Sequence, residues 1–299
     1  MIVTVGKSLS RVILVASVFI ATILVLQTVG IAQFPFGSET ERTVEREEGD
    51  EHESEDEDED EIETDRDSFT PATSVVGRGR TVIESAYSFL DNRKVAETHS
   101  LPEFIARYGI SKRIEMRLGY NYEVGGAGNP TSGNVPDDLE DKPHLEHESR
   151  FLYGAKVWLS QQNDWMPKSS VILQGFTPTS GEATATSFSA TYVFGWQLPN
   201  NWVWDSAMRY STGNFEEDSF NVWSPSTVLK LPLGKKWKAH VEYFGVFTEG
   251  RATESVQHFF SPGIHYLITP DLEIGVRVGW GLNDQSPNFF SNVGGGYRF

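Results

Sequence analysis

The run Asp271-Leu272-Glu273-Ile274-Gly275-Val276-Arg277-Val278-Gly279-Trp280 decides the fold, read with Val293-Gly294-Gly295-Gly296-Tyr297-Arg298-Phe299 at the end of the chain. Leu272, Ile274, Val276, Val278 and Trp280 fall on one parity; Glu273, Gly275, Arg277 and Gly279 fall on the other. Successive side chains of a strand point to opposite faces, so this strand has one wholly apolar face and one small or charged face. The last run continues the pattern to the final residue and places Tyr297 on the same face as Phe299. A soluble domain usually leaves its last residues frayed and polar. A soluble strand could also set one apolar face on a core, but a strand pattern that runs flush to an aromatic is unusual there.

Working back from these two runs, short alternating segments recur as far as Arg80 and predict twelve strands. Their expected spans are 80–90, 101–109, 112–123, 149–160, 167–177, 184–196, 201–211, 218–230, 236–248, 255–267, 271–281 and 289–299. The links alternate in length. Ile110-Ser111, 197–200, 231–235 and 268–270 are tight, whereas 91–100, 124–148, 178–183, 212–217, 249–254 and 282–288 are longer and polar. Tight turns at one end and long loops at the other describe an antiparallel up-and-down β-barrel that crosses a membrane. An even strand count places both chain ends on the turn side. A strand of about ten residues tilted near 45° spans the apolar band.

The faces agree. Ile114, Met116, Leu118, Tyr120 and Tyr122 oppose Glu115, Arg117, Gly119 and Asn121, and Trp202, Trp204, Met208 and Tyr210 oppose Asp205 and Arg209. Aromatics are therefore expected outward, with Trp196, Trp202 and Trp237 beside tight turns as an interfacial girdle. The fifth and eighth strands alternate poorly, and the eighth contains Pro225. The expected inward, pore-lining set is Glu84, Arg107, Glu115, Arg117, Lys156, Asp205, Arg209, Lys238, Glu242, Glu273 and Arg277. Within it Arg117, Arg209 and Arg277 are expected near Glu115, Asp205 and Glu273. Such a set either filters solutes by sign and size or holds a narrow lumen together as paired charges. Twelve strands lie between a filled eight-stranded barrel and an open sixteen-stranded porin, so a narrow, partly plugged pore is expected.

Ahead of the strands, Lys7 and Arg11 precede an apolar run from Val12 to about Ala32 that closes on Gly30-Ile31-Ala32. This is the pattern of a secretory signal peptide, residues 1–32. It is the only run near the roughly 20 apolar residues a membrane helix needs, and the hydrophobic fraction of 38% excludes a helical bundle. Between Glu39 and Asp67 there are 18 Asp or Glu against Arg42, Arg46 and Arg66, a net of −15. With Lys7 and Arg11 ahead of them, Ser68–Phe299 keeps only −4 of the total of −17. Dense like charge with few apolar residues cannot offset the cost of chain ordering, so 33–67 is expected to be a disordered acidic linker and 68–299 the barrel.

Two stretches carry resemblances. The ending at Tyr297 and Phe299 resembles the C-terminal strand of bacterial outer-membrane barrels, in which a terminal aromatic is the assembly signal. That implies the barrel assembly machinery as a partner. Thr70-Pro71-Ala72 through Val82-Ile83-Glu84, with Ala106-Arg107-Tyr108-Gly109-Ile110 and Arg113-Ile114-Glu115-Met116-Arg117-Leu118, resembles the transporter-like barrels grouped under a meta-pathway of phenol degradation. The resemblance covers Ser68 to Phe299. It implies a channel or transporter for small solutes, aromatic or hydrophobic ones included, in the outer membrane of a double-membraned bacterium, with membrane lipid and the solute as partners. The alternative is a non-conducting structural barrel whose linker or loops hold partners.

Other chemistries are poorly supported. A barrel phospholipase needs a serine and a histidine in register, and His240, His258 and His265 sit in no such motif. His144, Glu146 and His147 have a spacing that loops reach by chance, so no metal or other cofactor is expected. Gly125-Gly126-Ala127-Gly128-Asn129-Pro130 lacks the lysine and helix of a phosphate loop. Acidity and the lack of a basic patch argue against nucleic acid.

Overall fold

The computed structural model describes residues 61–66, 68–132, 145–215, 218–251 and 254–299. The expected signal peptide and all but the last few residues of the expected acidic linker lie outside them, as does His144. The twelve strands are β1 (Thr81–Asp91), β2 (Thr98–Ser111), β3 (Ile114–Gly125), β4 (Glu146–Ser160), β5 (Lys168–Ser180), β6 (Ser187–Gln197), β7 (Val203–Phe215), β8 (Asp218–Pro232), β9 (Trp237–Glu249), β10 (Val256–Thr269), β11 (Leu272–Gly281) and β12 (Phe289–Arg298). Every strand pairs antiparallel with its sequence neighbours, and β1 pairs with β12 from Val82↔Arg298 to Asp91↔Phe289. Closure leaves no edge strand, so the backbone polar groups of the wall pair within the sheet except at local irregularities.

The outer surface is apolar around the wall. Met116, Leu118, Tyr153, Leu173, Tyr192, Met208, Tyr243, Ile264, Val276 and Trp280 are all exposed. Residues one step away along the same strands are buried: Glu115 and Arg117, Leu152, Gln174, Thr191, Glu242, His265 and Arg277. An apolar exterior of this extent cannot face water, whereas hydrocarbon accepts it. Trp196 and Trp204 lie 5.3 Å apart beside the β6–β7 turn, and Trp237 meets Tyr266 at 4.6 Å beside the β8–β9 turn, where an aromatic girdle belongs.

Loop lengths separate the two ends less cleanly than the sequence suggests. β7 runs on to Phe215 and β8 starts at Asp218, so the expected 212–217 loop shrinks to two residues, 216–217. The β4–β5 link on the turn side has seven residues, 161–167, with its own small bridge between Asn163 and Met166. Charges point inward as expected, but the expectation that aromatics point outward needs correction. Phe220, Val222, Phe244, Val246, Phe259, Phe290 and Leu90 point inward and pack in one cluster around Phe69. This cluster explains why β8 does not read as alternating, since Phe220, Val222 and Val228 are apolar on the inner face. In β5, Ile172 and Phe176 do the same. Pro225 has no N–H to donate, and the β8–β9 register has no partners for Ser224 or Pro225.

Candidate functional site

The site is the lumen, and the segment leading into β1 occupies it. Glu61 meets Lys238 at 2.7 Å at the turn-side mouth, and the Ile62 N–H donates to the Pro270 carbonyl at 2.7 Å. From there the chain runs inward through Asp65 and Phe69, turns, and returns. On the way back the Ala72 N–H donates to Asp65 at 3.0 Å, the Ser74 hydroxyl donates to Glu63, and the Val76 N–H donates to Glu115 at 2.8 Å. Ile62, Asp65, Ser68, Phe69, Thr70, Ala72 and Thr73 are all buried. The last residues of the expected linker therefore enter the barrel, with Glu61 at its mouth and Ile62, Thr64, Asp65 and Arg66 buried inside. The boundary drawn at Ser68 falls in the middle of this plug.

Two glycines make room for it. A Cβ on Gly109 would overlap the carbonyl oxygens of Val76 and Gly77, and one on Gly296 would stand 2.6 Å from the Thr64 methyl. Gly109 belongs to the Arg107-Tyr108-Gly109 stretch singled out in the sequence, and each member has a separate task. Arg107 points inward onto Glu84 at 2.7 Å, Tyr108 points outward, and Gly109 admits the returning segment.

The inward charges form two clusters around this segment. In the first, Asp65 accepts from Arg117 at 2.6 Å, with Lys156 at 3.4 Å and Arg107 at 3.5 Å. Glu115 pairs with Arg117 at 2.9 Å, and Glu84 accepts the N–H groups of Asp65 and Arg66 at 2.9 and 3.0 Å. Burial alone would push the Asp65 carboxyl up, but Lys156, Arg107 and Arg117 outweigh it and hold the group well below the usual carboxylate range. In the second cluster, Glu242 accepts from the N–H groups of Phe69 and Thr70 at 2.9 and 2.7 Å and from the Thr70 hydroxyl at 2.7 Å. Arg277 approaches Glu242 at 3.4 Å and donates to the Thr131 carbonyl at 2.8 Å. From the loop end, Asn129 donates to Ser100 at 3.0 Å and to Glu103 at 2.9 Å. Arg66 meets the same Glu103 at 3.1 Å.

The eleven expected residues thus fall into groups. Glu84, Arg107, Glu115, Arg117 and Lys156 surround Asp65, whereas Arg209, Glu242 and Arg277 surround Phe69 and Thr70. Glu273 accepts from the Thr64 hydroxyl at 3.0 Å and lies 3.7 Å from His265. Asp205 is fully buried with Lys168 at 3.9 Å. Lys238 stands apart, with its side chain about a third exposed at the mouth. Arg117 pairs with Glu115 as expected. Arg277 pairs with Glu242 rather than Glu273, and Arg209 approaches the ring of Phe69 rather than Asp205. Across a barrel, the partner of an inward side chain comes from whatever fills the lumen, which parity along one strand cannot reveal.

Of the histidines, His240 and His265 face inward and share a 2.8 Å hydrogen bond with each other, and His258 bonds Tyr243 at 2.7 Å on the outer face. His147 lies beside Tyr122 at 6.4 Å between ring centroids. Sequence reasoning missed Asp65, Phe69, Thr70, Glu103 and Asn129. The available signal was Ile62 and Phe69, apolar residues flanking the end of a run that otherwise rejects burial.

The fold resembles solved barrels. An outer-membrane channel from Pseudomonas putida F1 aligns with a TM-score of 0.54 at 10% identity over 76% of this chain and 98% of that one. The translocator domain of the autotransporter NalP from Neisseria meningitidis aligns at 0.47 with 12% identity, over 75% and 90%. The NanC porin aligns at 0.49 with 8% identity, over 73% and 98%. No curated protein sequence matches the chain. Residues 64–299, which begin inside the luminal segment and take in the whole wall, match the family described as "Putative MetA-pathway of phenol degradation", and the chain belongs to that family.

Proposed function

We propose that the protein is an outer-membrane channel for small solutes, held closed in this structure by its own segment Glu61–Val76. The observation that carries the reading is the way the plug is attached. Its backbone and side chains are held by ion pairs and hydrogen bonds to inward residues of the wall, such as Asp65 to Arg117 and Phe69 and Thr70 to Glu242. The sheet itself is complete without the plug, because β1 closes on β12. A filled core of large apolar residues would make the barrel solid, but here most of the buried lumen residues are polar and most of the charges are paired. Polar contacts of that kind can be exchanged for water and solute. Inward charge then tunes passage by sign and size.

The test is ionic current through the purified, refolded full-length chain in a planar bilayer. Wild type should conduct rarely and briefly. A variant with Asp65→Asn and Phe69→Ala, which removes the Asp65 ion pairs and the Phe69 ring contacts and alters no strand, should conduct often. The filled lumen also favours a second reading, a non-conducting structural barrel. That reading stands, and the channel falls, if neither protein conducts while both migrate as folded, heat-modifiable barrels.

A further inference from the structure

At one place in the lumen the plug occupies a slot whose chemistry the plug only half matches. The ring of Phe69, 1% exposed, lies 4.2 Å from that of Phe244 and within 5° of parallel. Phe259 stacks with Phe244 at 4.7 Å and 14°, and Phe290 stands edge-on to both. Beside this stack, the guanidinium carbon of Arg209 is 4.5 Å from the Phe69 centroid. Arg209 is 7% exposed. Among the described residues it has no carboxylate at ion-pair distance, and its hydrogen-bond partner is the Phe69 carbonyl at a long 3.4 Å. Arg66, Arg107, Arg117 and Arg277 each have a carboxylate. Among the described residues around the slot, Arg209 and Arg277 face one carboxylate, that of Glu242, which leaves one positive charge over. A buried guanidinium without a counter-ion is costly, and a ring face gives it only part of what a carboxylate would.

Resting on the channel reading, we propose that the slot filled by Phe69 is a binding site for a solute that carries an aromatic ring and a carboxylate. When the plug withdraws, the solute's ring takes the place of Phe69 on Phe244, and its carboxylate pairs with Arg209. Each half is needed. A neutral aromatic leaves Arg209 unpaired, and an aliphatic acid leaves the Phe244 face bare. An aromatic cation meets the spare positive charge. Arg suits the role because its planar fork can hold a carboxylate through two parallel bonds while lying against a ring. Glu242 keeps Arg277 when the plug's N–H donors leave, so the local charge is balanced by one incoming anion.

The experiment uses the full chain in detergent micelles and four probes: benzoate, acetate, benzyl alcohol and benzylammonium. Phe69→Ala empties the slot without touching the wall, and saturation-transfer NMR with titration reads binding directly. Benzoate should bind this variant saturably and at least tenfold tighter than the other three. Adding Arg209→Gln should remove the preference of benzoate over benzyl alcohol while heat-modifiable migration remains. If that barrel does not assemble, Arg209→Lys carries the test: it keeps the charge but loses the fork, so benzoate should weaken severalfold. Benzoate binding no tighter than acetate, or unchanged by either Arg209 variant, overturns the site. Planar-bilayer current separates this from the channel reading. Current without benzoate preference sinks the site and leaves the channel, whereas benzoate binding without current in any variant sinks the channel and leaves the site.

Discussion

Around Asp65 the wall contributes three positive charges, Arg107, Arg117 and Lys156, and two negative ones, Glu84 and Glu115. The balance is completed from outside the sheet, by one carboxylate of the plug. Removing one partner of a buried charged set leaves the remainder uncompensated, which costs about 3–5 kcal/mol. Asp65→Asn should therefore undock the segment and raise its cleavage by a glutamate-specific protease at Glu61 and Glu63 by about two orders of magnitude. In wild type those bonds should resist. The pH dependence has a definite sign. Docking holds the Asp65 carboxyl well below its ordinary value of about 3.9, so its contribution is complete above that value and disappears only as pH falls through the lower, docked-state value. The gap in cleavage rate between wild type and Asp65→Asn should stay constant from about pH 8 to about pH 5 and shrink only below about pH 4. A gap that closes between pH 7 and 5 would mean that some other group holds the segment.

At the scale of the strand, β11 separates the two faces of the wall sharply. Val276 is 44% exposed on the outer face, and Arg277 beside it is buried and reaches Glu242 and Thr131. Val276→Arg places a charge against hydrocarbon and should destabilise the refolded barrel by about 2–4 kcal/mol if the site lies at the bilayer midplane. Arg277→Glu faces Glu242 and should leave the wall intact while loosening the plug and the Thr131 loop. Urea unfolding from lipid vesicles reads the first effect, and protease access to Glu61 reads the second. A harmless Val276→Arg would invert the assignment of faces. This strand was fully legible in the sequence because its inner face is small or charged throughout. β8 was not, because Phe220 and Val222 line the part of the lumen that receives Phe69. Periodicity reports burial on one face only while the other face stays polar, and an apolar plug removes that contrast. The plug was hidden for a related reason. Glu61–Arg66 look like the tail of a solvated acidic run until Arg107, Arg117 and Lys156 are known to converge on the same point.

For the whole molecule, what matters is that the sheet closes and where it closes. The seam between β1 and β12 joins the first strand to the last through ten register pairs, and Phe299 extends it by exchanging two hydrogen bonds with Thr81, at 2.8 and 2.9 Å. Beyond those bonds Phe299 adds little packing. Its side chain is 60% exposed and stacks on Tyr297 at 5.9 Å. Two intramolecular hydrogen bonds contribute about 1–3 kcal/mol, a small part of a twelve-strand closure. If Tyr297 and Phe299 are read by the assembly machinery, deleting Phe299 should separate two measurements that a purely structural role would tie together. Protein refolded from urea into lipid vesicles should unfold at nearly the wild-type midpoint. In cells, the amount of heat-modifiable barrel in the outer-membrane fraction should fall about tenfold or more, with Phe299→Tyr restoring most of it. A parallel loss in both measurements would assign Phe299 to the seam alone. Full yield in cells would show that closure between β1 and β12 is found without any cue from the last residue.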